Sequence, residues 1–193
     1  MKIYKLGEEV LRKKALPVEA EEINDSLRET FNEMFETMLE ADGVGLAAPQ
    51  VGLSKRFFVI ISDDEIRRVF INPQIISTSS DLCDYDEGCL SLPGFNETIK
   101  RPSKVTVQAL NEYGKAFTLN AEGLLARIIQ HENDHLDGIV YIDRGDPQFA
   151  AEVTEKMKKR AERAAKKEAE KAKKAAHIAA KIAAKEAKRG AKN

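Results

Sequence analysis

Residues 120–138 read NAEGLLARIIQHENDHLDG, and the rest of the chain is best read outward from them. Leu124, Leu125, Ile128, Ile129 and Leu136 recur at three- and four-residue steps, the spacing of one helix face. Asn120 is a residue type that caps helix N-termini, and Gly138 is a type that follows helix C-termini, so a helix is expected between them. His131 and His135 are four apart and share a helix face, so both imidazoles can reach one metal ion. Glu132 adjoins the first of them, where a carboxylate can take a proton from solvent at that ion. The bland alternative is a pair of core histidines with an incidental glutamate. Only three histidines occur in the chain, which makes that coincidence rare and the metal reading the stronger one.

A catalytic metal site needs three protein ligands and an open fourth position. One zinc-protease pattern continues from HExxH to a Gly and a third His. Here Gly138 is in place, but Tyr141 stands where that histidine would fall. Another uses a downstream Glu, and the nearest one, Glu152, already lies at the start of a polar tail. Upstream, the segment Glu87-Gly88-Cys89-Leu90-Ser91 offers the Cys89 thiolate. Alone, Cys89 is more often a small buried hydrophobe. Beside an unfilled two-histidine site it becomes the leading candidate for a third ligand.

Elsewhere the sequence punctuates itself clearly. Ile23, Leu27, Phe31, Met34, Phe35, Met38 and Leu39 predict an amphipathic helix over about 22–40, ended by Asp42-Gly43. The small-residue loop Gly43-Val44-Gly45-Leu46-Ala47-Ala48-Pro49-Gln50 follows; no regular helix passes Pro49, and no Gly-Lys-Ser/Thr makes it a phosphate loop. Strands are expected at 57–61, 69–72, 75–78, 105–110 and 116–119, separated by Asn-Pro, Arg-Pro and Tyr-Gly breaks.

Charge divides the chain. The first 150 residues carry 16 Lys and Arg against 26 Asp and Glu, a net of −10, whereas residues 151–193 carry 15 against 6, a net of +9. From about Pro147 the chain is rich in Ala, Lys and Glu, which predicts a helix of about 40 residues, roughly 60 Å long. Val153, Met157, Ile178 and Ile182 sustain no heptad, so no coiled-coil seam is expected and the chain is read as a monomer. The expected division is a catalytic domain over 1–146 and a basic helical tail over 147–193. No apolar run is long enough to span a membrane or serve as a signal peptide. The two cysteines, Cys83 and Cys89, are too few for a disulfide scaffold, and a reducing cytoplasm is expected.

Gly43 to Gln50, Glu87 to Ser91 and Gln130 to Leu136 resemble, in order and spacing, the three signature motifs of peptide deformylases, closest to the compact bacterial form. The resemblance spans residues 1 to about 145. Asn133 departs from it where an apolar residue is usual, and Gly7 where a proline is frequent. The resemblance implies an α+β fold, with short antiparallel sheets around a central metal-bearing helix and a long C-terminal helix behind. It implies removal of the formyl group from N-terminal formylmethionine of nascent chains, in a bacterial cytoplasm. Cys89, His131 and His135 would be metal ligands, Glu132 the general base and then acid, and Gln50 with the Leu90 backbone N–H the oxyanion hole. Gly43 and Gly45 would let the substrate backbone approach closely, Val44 and Gly45 would pair with it edge-on, and Val44, Leu124 and Ile128 would take the methionine side chain. Glu87 would belong to the substrate site, and Arg101 would lie near the substrate path, against the equally weighted reading of an ordinary surface arginine. Fe²⁺ is the expected native ion, with Zn²⁺, Ni²⁺ or Co²⁺ as alternatives. The basic tail would dock on the ribosome or its RNA, against the simpler reading of a solvated helix; His177 is expected to be solvated.

Two competing readings follow from the same residues. One is a metallopeptidase, which would cut internal bonds and leave formyl groups intact. The other is a ribosome- or RNA-binding protein whose metal only holds the fold, which a chelator would unfold rather than silence.

Overall fold

The computed structural model describes residues 1–190, with side chains through His177 and that of Lys181. Seven strands and three α-helices follow in the order α1 (Asp25–Glu40), β1 (Gly45–Ala47), β2 (Phe57–Ile61), β3 (Arg67–Thr78), β4 (Leu82–Gly88), β5 (Asn96–Pro102), β6 (Lys104–Leu110), β7 (Ala116–Glu122), α2 (Gly123–Leu136) and α3 (Pro147–Gly190). All pairings between these strands are antiparallel, in a five-stranded sheet ordered β1-β2-β3-β6-β7 and a separate β4-β5 hairpin. This is the expected α+β class.

The core is explained by strand alternation. Along β2, Phe57 and Val59 point to one face and Phe58 and Ile60 to the other, and all four are buried. Phe57 and Val59 join Phe31, Met34, Phe35 and Met38, the apolar stripe of α1. Phe58 and Ile60 join Phe70, Val107, Ala126, Ile129 and Leu136, so the opposite face carries α2. Phe58 and Phe70 stack with ring centroids 4.8 Å apart. Truncating either ring to alanine at so buried a place costs about 3–5 kcal/mol.

α2 is covered on both sides. Its other face is polar: Arg127, Gln130, His131 and Asp134 follow helical spacing and lie against the hairpin. Arg127 donates to the Ile99 and Cys83 carbonyls, Gln130 to the Pro102 carbonyl, and Asp134 accepts from Arg101. Gly138, at φ 74°, ends the helix; a Cβ there would lie 2.8 Å from the Arg12 carbonyl oxygen.

Several boundaries differ from the sequence reading. The segments expected as strands at 69–72 and 75–78 are one strand, β3, because a register shift between Ile71 and Gln74 absorbs the Asn72-Pro73 break. Asn72 takes φ 51° there, and its side chain bonds both ways to the Val18 backbone. Asn120 is not a helix cap: it pairs with Thr106 within the sheet, and α2 begins after Glu122. α1 is capped by Asn24, whose side chain accepts from the Leu27 N–H.

Compactness divides the chain after Thr154. The first unit holds everything through the opening turns of α3, including fully buried Val153. From Lys158 to His177 every residue is exposed, His177 included. Ile178 and Ile182 lie outside the described side chains. No helix among the described residues is long and apolar enough to cross a membrane.

Candidate metal centre

The two imidazoles sit one turn apart on α2, ring centroids 5.1 Å apart and nearly perpendicular. Cys89 follows directly on β4, which delivers its sulfur to the same point: Sγ lies 3.3 Å from His135 Nε2. One donor atom from each of Cys89, His131 and His135 can be chosen so that all lie within 4.8 Å of one another. In a tetrahedral zinc-type site the sulfur–nitrogen edge is about 3.6 Å, from bond lengths near 2.3 and 2.05 Å. Cys89 and His135 therefore already hold close to the spacing that a single ion requires, with His131 near enough to complete the set.

Electrostatics support the same fit. Burial alone would lower the pKa of His131, but the Cys89 sulfur and the Glu87 carboxylate outweigh it and raise it well above the usual value. An environment that favours a proton between these groups also favours a divalent cation. His135 is held well below its usual value, chiefly by burial and then by neighbouring His131, and so is neutral, the state in which imidazole ligates. Glu132 is pushed up to about 7, again chiefly by burial. Its Oε2 is a buried oxygen with no hydrogen-bond partner among the described residues.

Behind the first histidine stands Glu87, whose Oε2 lies 2.8 Å from His131 Nδ1. Such a carboxylate fixes tautomer and ring orientation and leaves Nε2 for a ligand. Glu87 also accepts two bonds from Arg101, at 2.7 and 2.9 Å, and one from Arg127 at 2.8 Å. Its carboxyl stays well below the usual range: burial opposes this, and the bonds from His131 and Arg101 outweigh burial. Asp134 continues the network by accepting from Arg101 and Arg144.

A cavity of about 590 Å³ opens over these groups. It brings together Gly43, Val44, Gly45, Gln50, Glu87, Cys89, Leu90, Leu124, Ile128, His131 and Glu132, all singled out in the sequence. Gly45 is required by contact, since a Cβ would lie 2.7 Å from Ile128 Cγ2 and closer still to the Glu132 carboxylate. β1 is an edge strand, and beyond its pairing with β2 its outer side faces no other strand among the described residues. Gln50 is fixed by its Oε1, which accepts from the Ala47 N–H at 2.7 Å; its Nε2 reaches Ser91 Oγ at 3.3 Å and Cys89 Sγ at 3.5 Å.

Arg101 is a correction. Expected near the substrate path, it is 3% exposed, is not among the residues lining the cavity, and is saturated by Glu87 and Asp134. Guanidinium geometry explains the difference, because its fork matches two carboxylates at once. His135 lies at the centre without lining the cavity.

The sequence reading missed Lys5, Tyr85 and Arg127, which also line the cavity. Tyr85 faces Arg127 with its ring 5.6 Å from the guanidinium. Tyr141, at the position where a third histidine would complete a zinc-protease pattern, is buried and donates to the Phe95 carbonyl, its ring 6.0 Å from that of His131. Tyr85 and Lys5 sit outside any motif, so only tertiary placement reveals them.

Comparison with known proteins agrees with this geometry. Residues 1–151 match the Polypeptide deformylase family. A peptide deformylase of Fusobacterium nucleatum is 46% identical over 165 residues, covering 84% of this chain and 95% of that one. One from Clostridium botulinum is 52% identical over 143 residues, covering 74% and 94%. Among solved structures, a peptide deformylase from Legionella pneumophila superposes with a TM-score of 0.77 at 43% identity, covering 85% of this chain and 96% of that one. One from Synechococcus elongatus, in complex with actinonin, gives 0.74 at 44% identity, covering 80% and 84%. Fold, site and relatives agree: this chain belongs to the peptide deformylase family of metal-dependent hydrolases.

Proposed function

We propose that Cys89, His131 and His135 hold the divalent ion with which this deformylase removes the formyl group from N-terminal formylmethionine of nascent chains. The convergence of one thiolate and two imidazoles beside a Glu132 oxygen with no partner among the described residues, at the floor of a cavity sized for a peptide end, carries this reading. When bound, the ion supplies Lewis acidity toward the formyl carbonyl and lowers the pKa of solvent. Fe²⁺ is the native ion in this reading, and Zn²⁺, Ni²⁺ or Co²⁺ can replace it, since a thiolate–imidazole donor set accepts each of them.

The chain's own residues do the rest. Glu132 takes the proton from attacking solvent and passes it to the departing amine. Burial makes the ionised carboxylate costly, so Glu132 can hold the proton it takes until the amine departs. As the formyl oxygen gains negative charge, Gln50 Nε2 and the Leu90 N–H donate to it. The substrate backbone adds as a strand along Val44 and Gly45, Gly43 allowing its close approach, a mode suited to the outer side of β1, which pairs with no strand among the described residues. Val44, Leu124 and Ile128 form the apolar slot for the methionine side chain. Glu87 forms part of the cavity wall and orients His131, and Arg101 supports Glu87 from behind.

We assign catalysis to residues 1–146 and a separate role to the basic tail over 147–193, which would bind ribosomal RNA from a bacterial cytoplasm. The exposed Lys and Arg of Lys158–Lys174 suit phosphate contacts. The enzyme is taken to act as a monomer. The test of the central reading is formate release from a formyl-Met peptide with and without added Fe²⁺, by wild type and Cys89→Ala. Formate release is expected from wild type and not from C89A, which should also lose its metal. Internal cleavage with the formyl group intact, or a C89A protein retaining one equivalent of metal, would overturn it.

A further inference from the structure

The Cys89 sulfur has two neighbouring donors, Gln50 Nε2 and the backbone N–H of Ser91, the latter at 3.4 Å. That N–H belongs to the Leu90–Ser91 peptide unit, whose other end is the Leu90 carbonyl. Lys5 Nζ donates to this carbonyl oxygen at 2.7 Å. Amide planarity holds the two ends of a trans peptide rigidly opposed, so fixing the carbonyl aims the N–H. The residues around Lys5 brace the same two loops: Tyr4 N–H donates to the Gln50 carbonyl at 2.7 Å, and Leu6 N–H to the Ser91 carbonyl at 3.0 Å.

We propose that Lys5 is a positioning residue of the metal centre, acting through the Leu90–Ser91 peptide on the Cys89 sulfur. The inference rests on the reading of Cys89 as a metal ligand. A cation on the carbonyl strengthens the bond at that end and, by polarising the amide, strengthens N–H donation at the other. Donation to a thiolate ligand withdraws electron density from it and leaves the ion a stronger Lewis acid. Lys5 is only half-buried, so its side chain can be exchanged without opening the core.

The test uses the full chain loaded with Co²⁺, whose sulfur-to-cobalt charge-transfer band reports electron donation by Cys89. Lys5→Met is expected to shift that band to longer wavelength, because an unrestrained thiolate donates more strongly. In the same variant kcat for a short formyl peptide should fall about tenfold, in line with the usual effect of outer-shell partners, while KM stays near wild type. Lys5→Arg, which keeps a cation able to reach the carbonyl, should return both readouts. A K5M band at the wild-type position, a change confined to KM, or a K5R effect equal to that of K5M would overturn the proposal. Wild-type protein showing no sulfur-to-cobalt band would instead overturn Cys89 ligation itself, and the role of Lys5 with it.

Discussion

Glu87 reaches His131 Nδ1 at 2.8 Å from the strand that two residues later delivers Cys89. The carboxylate that orients the ring and the sulfur therefore arrive on one extended segment, and positions two apart on such a segment point the same way. Orientation of the first ring and placement of the third donor are set together.

Replacing Glu87 with Gln therefore tests more than one bond. The neutral amide cannot balance Arg101 and Arg127, both buried beside it, and it loosens the tautomer of His131. Glu87→Gln is expected to weaken metal binding by about 10- to 100-fold, measured by competition with a chelator. Its stability should fall by about 3–5 kcal/mol in urea titration, as when one partner of a buried ion network is removed. A variant with wild-type metal affinity would mean that Glu87 serves the cavity wall alone.

The same carboxylate predicts a pH dependence. Its folded-state pKa is depressed, the bonds from His131 and Arg101 outweighing burial. A depressed acid contributes stability that is fully present above the unfolded value, near 4.3, and is lost as pH falls through the folded value. The stability gap between wild type and E87Q should thus be constant from about pH 7 to 5 and narrow progressively in stronger acid. Urea midpoints measured across that range decide it; a gap that widens in acid would contradict the sign.

The sequence displayed the centre better than its surroundings. HENDH carries its geometry in its spacing, because a helix puts residues four apart on one side whatever surrounds it. Phe57–Ile61 was legible as a strand for a similar local reason. The hairpin β4-β5 was not: Leu82 to Gly88 reads LCDYDEG, with no apolar alternation, because what it covers is the polar side of α2. Buried ion pairs leave no hydrophobic pattern, so Arg101 looked like a surface residue although it is among the most buried charges. Lys5 was invisible for another reason: its partner is a backbone carbonyl 85 residues away.

Glu132 separates binding from chemistry. It is buried at the cavity floor, and the three proposed ligand atoms converge without it. Glu132→Ala should keep a full equivalent of metal by elemental analysis while turnover drops by at least about 10²–10⁴-fold, the usual worth of a general base. Loss of metal together with turnover would give Glu132 a ligating or structural role instead.

The place to cut the tail follows from burial rather than from the start of α3. Val153 and Met157 are buried, whereas residues 158–177 are all exposed. Burying a valine side chain is worth about 1.5–3 kcal/mol, so a chain ending at Ala151 should be less stable than one ending at Thr154 by that order. A chain ending at Met157 should release formate from short formyl peptides at the wild-type rate. It should also pellet less with ribosomes, and the difference should shrink as salt rises, because phosphate contacts release counterions. Equal pelleting of the full chain and the Met157 truncation at low salt would reject ribosome docking and leave α3 beyond Met157 as a solvated helix.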